Sequence, residues 1–265
     1  MAARDYQVSV TFDAPADEST ADGQAELLQA ALARNPAALC IAALDSAALI
    51  PLLKKAQAAK IPVIGFDSGV DSPIAVTTAA TDNTAAAALA AYKMAALIGG
   101  SGKVGLILRD DTSRTAVDRR DGFLRAMKRF HPRVEILPPQ YGGADVLKSA
   151  DAAKAMILAN PDISGIVAGD EASAAGVVKA VQDLDLAGKL VVIGYDSGKV
   201  QVDAIRSGLM AGAVTPDPVR IGYLAVEAAV RVLKGRHVSR TIDTGFHWYD
   251  QANIDDPSIE AILFQ

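Results

Sequence analysis

Ile61–Gly69 reads IPVIGFDSG, and Leu190–Gly198 reads LVVIGYDSG. Each is an apolar run that closes on an aromatic residue and then on Asp-Ser-Gly. A strand with one wet face alternates apolar and polar residues. These runs do not, which is the pattern of strands in a parallel sheet covered on both faces. Working outward, further β-branched runs fall at Val8–Phe12, Ala38–Ala42, Ala75–Thr78, Val104–Leu108, Val134–Leu137, Gly165–Val167 and Gly212–Val214. Between the runs lie helical stretches at Thr20–Arg34, Ala47–Ala58, Thr84–Ile98, Arg119–Phe130, Val146–Leu158, Ala172–Leu184, Val200–Ser207 and Pro218–Lys234. Strand–helix–strand order with short loops predicts an α/β chain with doubly wound parallel sheets. Nine strands are many for one open sheet, so the sequence predicts two lobes.

The bulk properties narrow the function classes. The chain has 265 residues, enough for two domains, and is 51% hydrophobic but only 5% aromatic, so its cores must be aliphatic and alanine-rich. A net charge of -5 argues against a nucleic-acid or anionic-membrane partner, because a phosphate footprint needs clustered Lys and Arg. No run approaches the apolar length of a membrane span. Met1–Val10 carries no hydrophobic signal region. Cys40 is the one cysteine and reads as a small core residue. His131, His237 and His247 lack metal-ligand spacing, so neither zinc nor any other cofactor is expected. Gly99–Val104, GGSGKV, fails as a phosphate loop: the glycine expected five residues before Gly102 is Leu97, and the segment joins a helix to a strand. No nucleophile–base arrangement is evident, so no catalysis is expected.

In open α/β sheets, ligands sit beyond the carboxyl ends of the strands. That edge is acidic here. Asp67 and Asp196 follow the two quoted runs, one in each lobe, and a carboxylate can accept from two neighbouring hydroxyls at once. Either could instead cap a helix or open a turn. Asp170 and Glu171 follow the strand at Gly165–Val167 and could serve a ligand or simply suit the first turn of a helix. Arg119, in TSRTAVDRRDGF, offers a planar fork of donors, or is an ordinary surface helix arginine.

KIPVIGFDSG (60–69), ATDN (80–83), TSRTAVDRRDGF (112–123), NPDISGIVAGDEASAAG (160–176), VVIGYDSGKVQVDAIRSGLMAGAV (191–214), GYLAVEAAVRVLKG (222–235) and IDTGFHWYDQANIDDP (242–257) together resemble the ribose-binding family of ABC-transporter substrate-binding proteins. The resemblance runs in order over essentially the whole chain. It implies a type I periplasmic-binding fold whose lobes, 1–81 plus 217–243 and 82–216 plus 244–265, are joined by hinge crossovers near Ala80–Asn83, Thr215–Asp217 and Asp243–Gly245. It implies a small sugar or polyol held in the cleft between lobes, delivery to an ABC permease that is the protein's link to a membrane, and a periplasmic location. Carried over by position, the ligand groups are Asp67, Arg119 and Asp196, with Ser68 where the family has a second arginine and Asp170 within Gly169-Asp170, where the family has Asn-Asp. Ala42 and Pro216 replace an asparagine and a glutamine. The family also begins with a strand and helix that precede anything matched here, so a shortened first lobe is expected. The alternative implied by the same fold is an effector-sensing module, of a LacI-type regulator or a chemoreceptor ligand-binding protein. The sequence contains no helix-turn-helix, and IDTGFHWYDQANIDDP resembles the transport proteins.

Overall fold

The computed structural model describes residues 1–15 and 21–263. In chain order the elements are α1 (Ala2–Asp5), α2 (Ala21–Ala33), β1 (Leu39–Ile41), α3 (Ser46–Ala58), β2 (Val63–Phe66), β3 (Ala75–Ala80), α4 (Asn83–Leu97), β4 (Gly102–Leu108), α5 (Arg114–Phe130), β5 (Val134–Ile136) and β6 (Gln140–Tyr141). There follow α6 (Val146–Ala159), β7 (Ile163–Ala168), α7 (Glu171–Asp183), β8 (Val191–Tyr195), α8 (Lys199–Arg206), β9 (Gly212–Pro216), α9 (Pro218–Leu233), β10 (Thr241–Asp243), β11 (Phe246–Tyr249) and α10 (Pro257–Glu260). They gather into two compact units, one within Met1–Thr81 and Asp217–Gly245, the other within Asp82–Pro216 and Phe246–Gln265.

The first unit is built on a four-stranded parallel sheet in the order β1-β2-β3-β10. Leu49, Leu53 and Ala56 of α3 pack with Val63 and Ala75 on one side. Ala228 and Ala229 of α9 cover Ile64 on the other. Cys40 belongs to this packing: its Sγ lies 3.8 Å from the Ala225 carbonyl, and burial pushes the thiol up to about 11. The expected strand at Val8–Phe12 does not form. Val8, Val10 and Phe12 are 36%, 51% and 81% exposed. Among the described residues no strand pairs with the segment, and β propensity without a cross-strand neighbour does not make a strand. Beyond β1, on its unpaired edge, the α2 side chain Gln24 donates from Nε2 to Ala42 O (2.7 Å) and accepts at Oε1 from Leu44 N (2.9 Å). One side-chain amide thus brackets Ala43 as a residue of a neighbouring parallel strand would. The expected helix start at Thr20 lies outside the described residues.

The second unit holds a seven-stranded sheet in the order β11-β9-β8-β7-β4-β5, with β6 also on β4. It is parallel except at its edge, where β11 runs antiparallel to β9. Ile166, Val167, Val192 and Ile193 are at most 2% exposed, as a doubly covered sheet requires. Val177, Val181 and Ile205 cover one face, and Met94, Phe123 and Met127 cover the other. β6, β10 and β11 were not anticipated from sequence. They are short, and β10 and β11 flank the expected crossover at Asp243–Gly245.

The helix starts follow local chemistry. Asp45, Asp82, Asp145, Asp170 and Asp217 each accept from a backbone N–H in the first turn of α3, α4, α6, α7 and α9, and Pro218 stands just inside α9. Much of the acidity at the strand ends is therefore capping. α4 and α5 pack unusually closely. A Cβ built on Gly122 would lie 2.7 Å from Thr84 O and 2.9 Å from Thr84 Cα, so only glycine fits there. That contact brings Arg119, one turn earlier on α5, up to the first turn of α4.

Candidate functional site

Arg119 is 7% exposed. Its Nε donates to Asn83 Oδ1 at 2.9 Å, its Nη1 to Gly169 O at 2.7 Å, and its Nη2 to Asp196 Oδ1 at 3.3 Å. The guanidinium lies over the Tyr195 ring, 4.6 Å from the centroid. Acceptors on three sides and a ring beneath fix its plane. The surface-arginine reading is thus excluded by burial. Sequence could not settle this, because the helix periodicity around Arg119 does not reveal which neighbours carry acceptors.

Asp196 follows β8 in the left-handed region, φ 71°, a conformation Asp tolerates better than most residues. Its backbone N–H donates to Val214 O (2.9 Å), its Oδ2 accepts from Glu171 N (3.2 Å), and its carbonyl accepts from the Tyr249 hydroxyl (2.8 Å). The carboxylate is thus held on one side by Arg119 and on the other by the first N–H of α7. The next residue, Ser197, is fully buried, and the Thr215 hydroxyl lies 3.2 Å from its Oγ. Tyr195 is fully buried with no hydrogen-bond partner at its hydroxyl among the described residues, and burial pushes that group above its ordinary range.

Asp170 is beside this pair but is turned into its own helix. Oδ1 accepts from Ser173 N (3.0 Å) and Oδ2 from Ser173 Oγ (2.5 Å). Burial raises its pKa, the Ser173 bonds lower it, Asp196 raises it and Arg119 lowers it; burial dominates and the net shift is upward.

In the first unit, Asp67 also lies in the left-handed region, φ 50°, at the end of β2, with its N–H on Ala79 O (2.9 Å). It is exposed. Ser68 turns its hydroxyl to Ala43 O (3.2 Å). Gly69 closes the turn at φ 61° against Thr78.

Of the five candidate residues, Arg119 and Asp196 are in direct contact, Asp170 is their electrostatic neighbour, and Asp67 and Ser68 form a separate turn in the other unit. Asn83, Gly169 O, Thr215 and Tyr249 were not singled out, and Glu171 was considered for its side chain, not for the backbone N–H that reaches Asp196. Asn83 lay within the quoted ATDN, but nothing in four residues distinguishes an asparagine that holds an arginine from an ordinary helix start. Among the described residues, no group of three or more His, Cys, Asp or Glu is placed to hold a metal ion, and no helix is long and apolar enough to cross a membrane.

Comparison with known proteins places this geometry in context. The D-ribose/D-allose-binding protein of Pseudomonas aeruginosa is 28% identical over 226 residues, covering 83% of this chain and 70% of its own. The solved carbohydrate transporter solute-binding protein of Agrobacterium radiobacter, in complex with D-arabinose, is 33% identical, with TM-score 0.91 over 99% of this chain and 90% of its own. An ABC transporter solute-binding protein of Agrobacterium vitis with bound D-fucose is 29% identical, with TM-score 0.88 over 97% and 89%. Residues 1–237 match the model of the periplasmic binding protein domain, and with two α/β units and a charged pair at the strand ends of one, the chain belongs to that family.

Proposed function

We propose that this chain is the solute-binding component of an ABC sugar importer, that it takes a small sugar or polyol and catalyses nothing, and that it works in the periplasm with a membrane permease as its partner. The observation that carries the reading is the pairing of the buried Arg119 with the half-buried Asp196 at the carboxyl ends of the second sheet. A carboxylate already held by a guanidinium and a backbone N–H keeps acceptor capacity for neighbouring hydroxyls, and the fixed geometry spares a ligand the cost of ordering it. Asp67 and Ser68 are taken as the first unit's ligand groups. Asp170 serves from one residue away, by fixing the turn that presents Glu171 N–H to Asp196. Relatives that bind ribose, allose, arabinose and fucose support the substrate class.

The test is calorimetric titration with D-ribose, D-allose, D-arabinose and D-fucose. At least one should bind; micromolar affinity corresponds to about 8 kcal/mol. Asp196→Ala should weaken that sugar by at least tenfold, the loss of a hydrogen bond to a charged group. An Asp196→Ala protein that binds like the parent removes the site from the reading. Chemical change in any recovered sugar would overturn the claim that nothing is catalysed.

A further inference from the structure

The chain enters the second unit twice and leaves it once, after Thr81, after Gly245 and after Pro216. Just inside the unit at each passage, a side chain reaches the Arg119–Asp196 pair or its neighbour. Asn83, two residues past Thr81, accepts from Arg119 Nε at 2.9 Å. Thr215, one residue before Pro216 ends the unit's first segment, lies 3.2 Å from Ser197 Oγ. Tyr249, on the strand that follows Gly245, donates to the Asp196 carbonyl at 2.8 Å. The three residues come from α4, β9 and β11, and no local motif joins them.

Asn83 has the most direct consequence. It is 8% exposed and stands at the first position of α4, behind the capping residue Asp82, whose side chain bonds Ala85 N at 2.9 Å. The helix start therefore fixes its backbone. Gly122 against Thr84 fixes the distance from α4 to α5. Arg119 is long and could turn its guanidinium about the last side-chain torsions. Gly169 O and Asp196 hold the two terminal nitrogens, and Tyr195 holds the plane. Asn83 Oδ1 holds Nε, the nitrogen nearest the rotating bond. With an apolar residue at 83, the guanidinium can swivel, and its Nη2 contact with Asp196, the longest of the three, is the first to go.

We infer that Asn83 is the positioning residue for Arg119: it touches no ligand, but sets the guanidinium that sets Asp196. The inference rests on the sugar-site reading above, and its test separates the two. In ¹⁵N-labelled protein, the Arg119 Nε–H signal, assigned by its loss in Arg119→Lys, should exchange slowly with solvent at neutral pH. Asn83→Ala should bring that exchange to the rate of ordinary surface arginines and weaken the best of the four sugars at least tenfold. Asn83→Asp keeps an acceptor oxygen and should restore slow exchange and affinity to within about threefold of the parent, as expected when one charge-assisted hydrogen bond is preserved. A residue needed only for folding would give loss of affinity in both variants, in step with their melting temperatures. Slow Nε–H exchange in Asn83→Ala, or failure of Asn83→Asp to rescue, overturns the inference. If the parent binds none of the sugars, the exchange measurement alone decides the role of Asn83, and the sugar reading is what falls.

Discussion

The turns at Phe66–Gly69 and Tyr195–Gly198 carry the same residues in the same order and put Asp in the same left-handed conformation, yet they are furnished differently. Asp67 is exposed, and its neighbour Ser68 is spent on a backbone carbonyl. Asp196 sits in a network of a buried guanidinium, a helix N–H and a tyrosine hydroxyl, over a serine that is fully buried. The local sequence sets the backbone of each turn. The partners of Asp196 come from residues tens of positions away.

The sharpest way to break this comparison is to make the same change in both turns. Asp196→Asn leaves Arg119 buried beside a neutral partner. It should cost about 3 kcal/mol of stability, because it leaves a buried guanidinium without its counter-charge, while Asp67→Asn should stay within about 0.5 kcal/mol, as exposed substitutions do. Chemical denaturation of both variants reads this directly, and equal effects would mean that the two turns are alike in energy as well as in sequence.

A smaller effect is expected from the packing that delivers Arg119. Gly122→Ala places a methyl group against the Thr84 backbone and should cost about 1–3 kcal/mol, the usual range for overpacking. The first unit should be spared. Hydrogen exchange would show α4 and α5 loosening while β2 and β3 keep their protection, and a uniform loss would contradict the localisation.

The smallest effect is a pH dependence confined to the second unit. Burial holds the Asp170 carboxyl above its ordinary value, so the folded form binds its proton more tightly than the unfolded chain does. The contribution to stability is present below the unfolded value of about 4 and is lost as pH rises through the folded value. Asp170→Asn keeps a good capping residue without the charge. Its melting temperature should match the parent's at acid pH and equal or exceed it at neutral pH. A variant less stable than the parent at neutral pH would show that the charge is favoured where it stands.

Much of this architecture was legible in the residues. Runs such as Val63–Phe66 and Val191–Tyr195 are apolar throughout because both faces of their sheets are covered, and the helices begin where aspartates can cap them. The repeated Asp-Ser-Gly drew attention to Asp196, which the fold brings against Arg119. Val8–Phe12 misled because a strand is half a structure and its neighbour is not written in its own residues. Asn83 and Tyr249 were invisible for a related reason: their bonds to Arg119 and Asp196 span 36 and 53 positions, and each is an ordinary residue in its own neighbourhood. Asp170 shows the opposite limit, where two local readings were open and only the direction of the side chain toward Ser173 separates them.

The return of α9 and β10 to the first sheet has a consequence for synthesis. Ile64 is covered by Ala228 and Ala229, and β3 finds its outer neighbour in Thr241–Asp243. Until those residues leave the ribosome, the first sheet has one naked apolar face, and β3 has an unpaired edge. All of Asp82–Pro216 is made in the interval, which at the usual pace of translation lasts on the order of ten seconds. Through that time the second unit can already collapse around its central strands, while the first must wait. A nascent chain arrested before Ala228 should therefore be a better client for a chaperone than one arrested after Asp243, and the half of the molecule that is begun first cannot complete its sheet until nearly the whole chain is made.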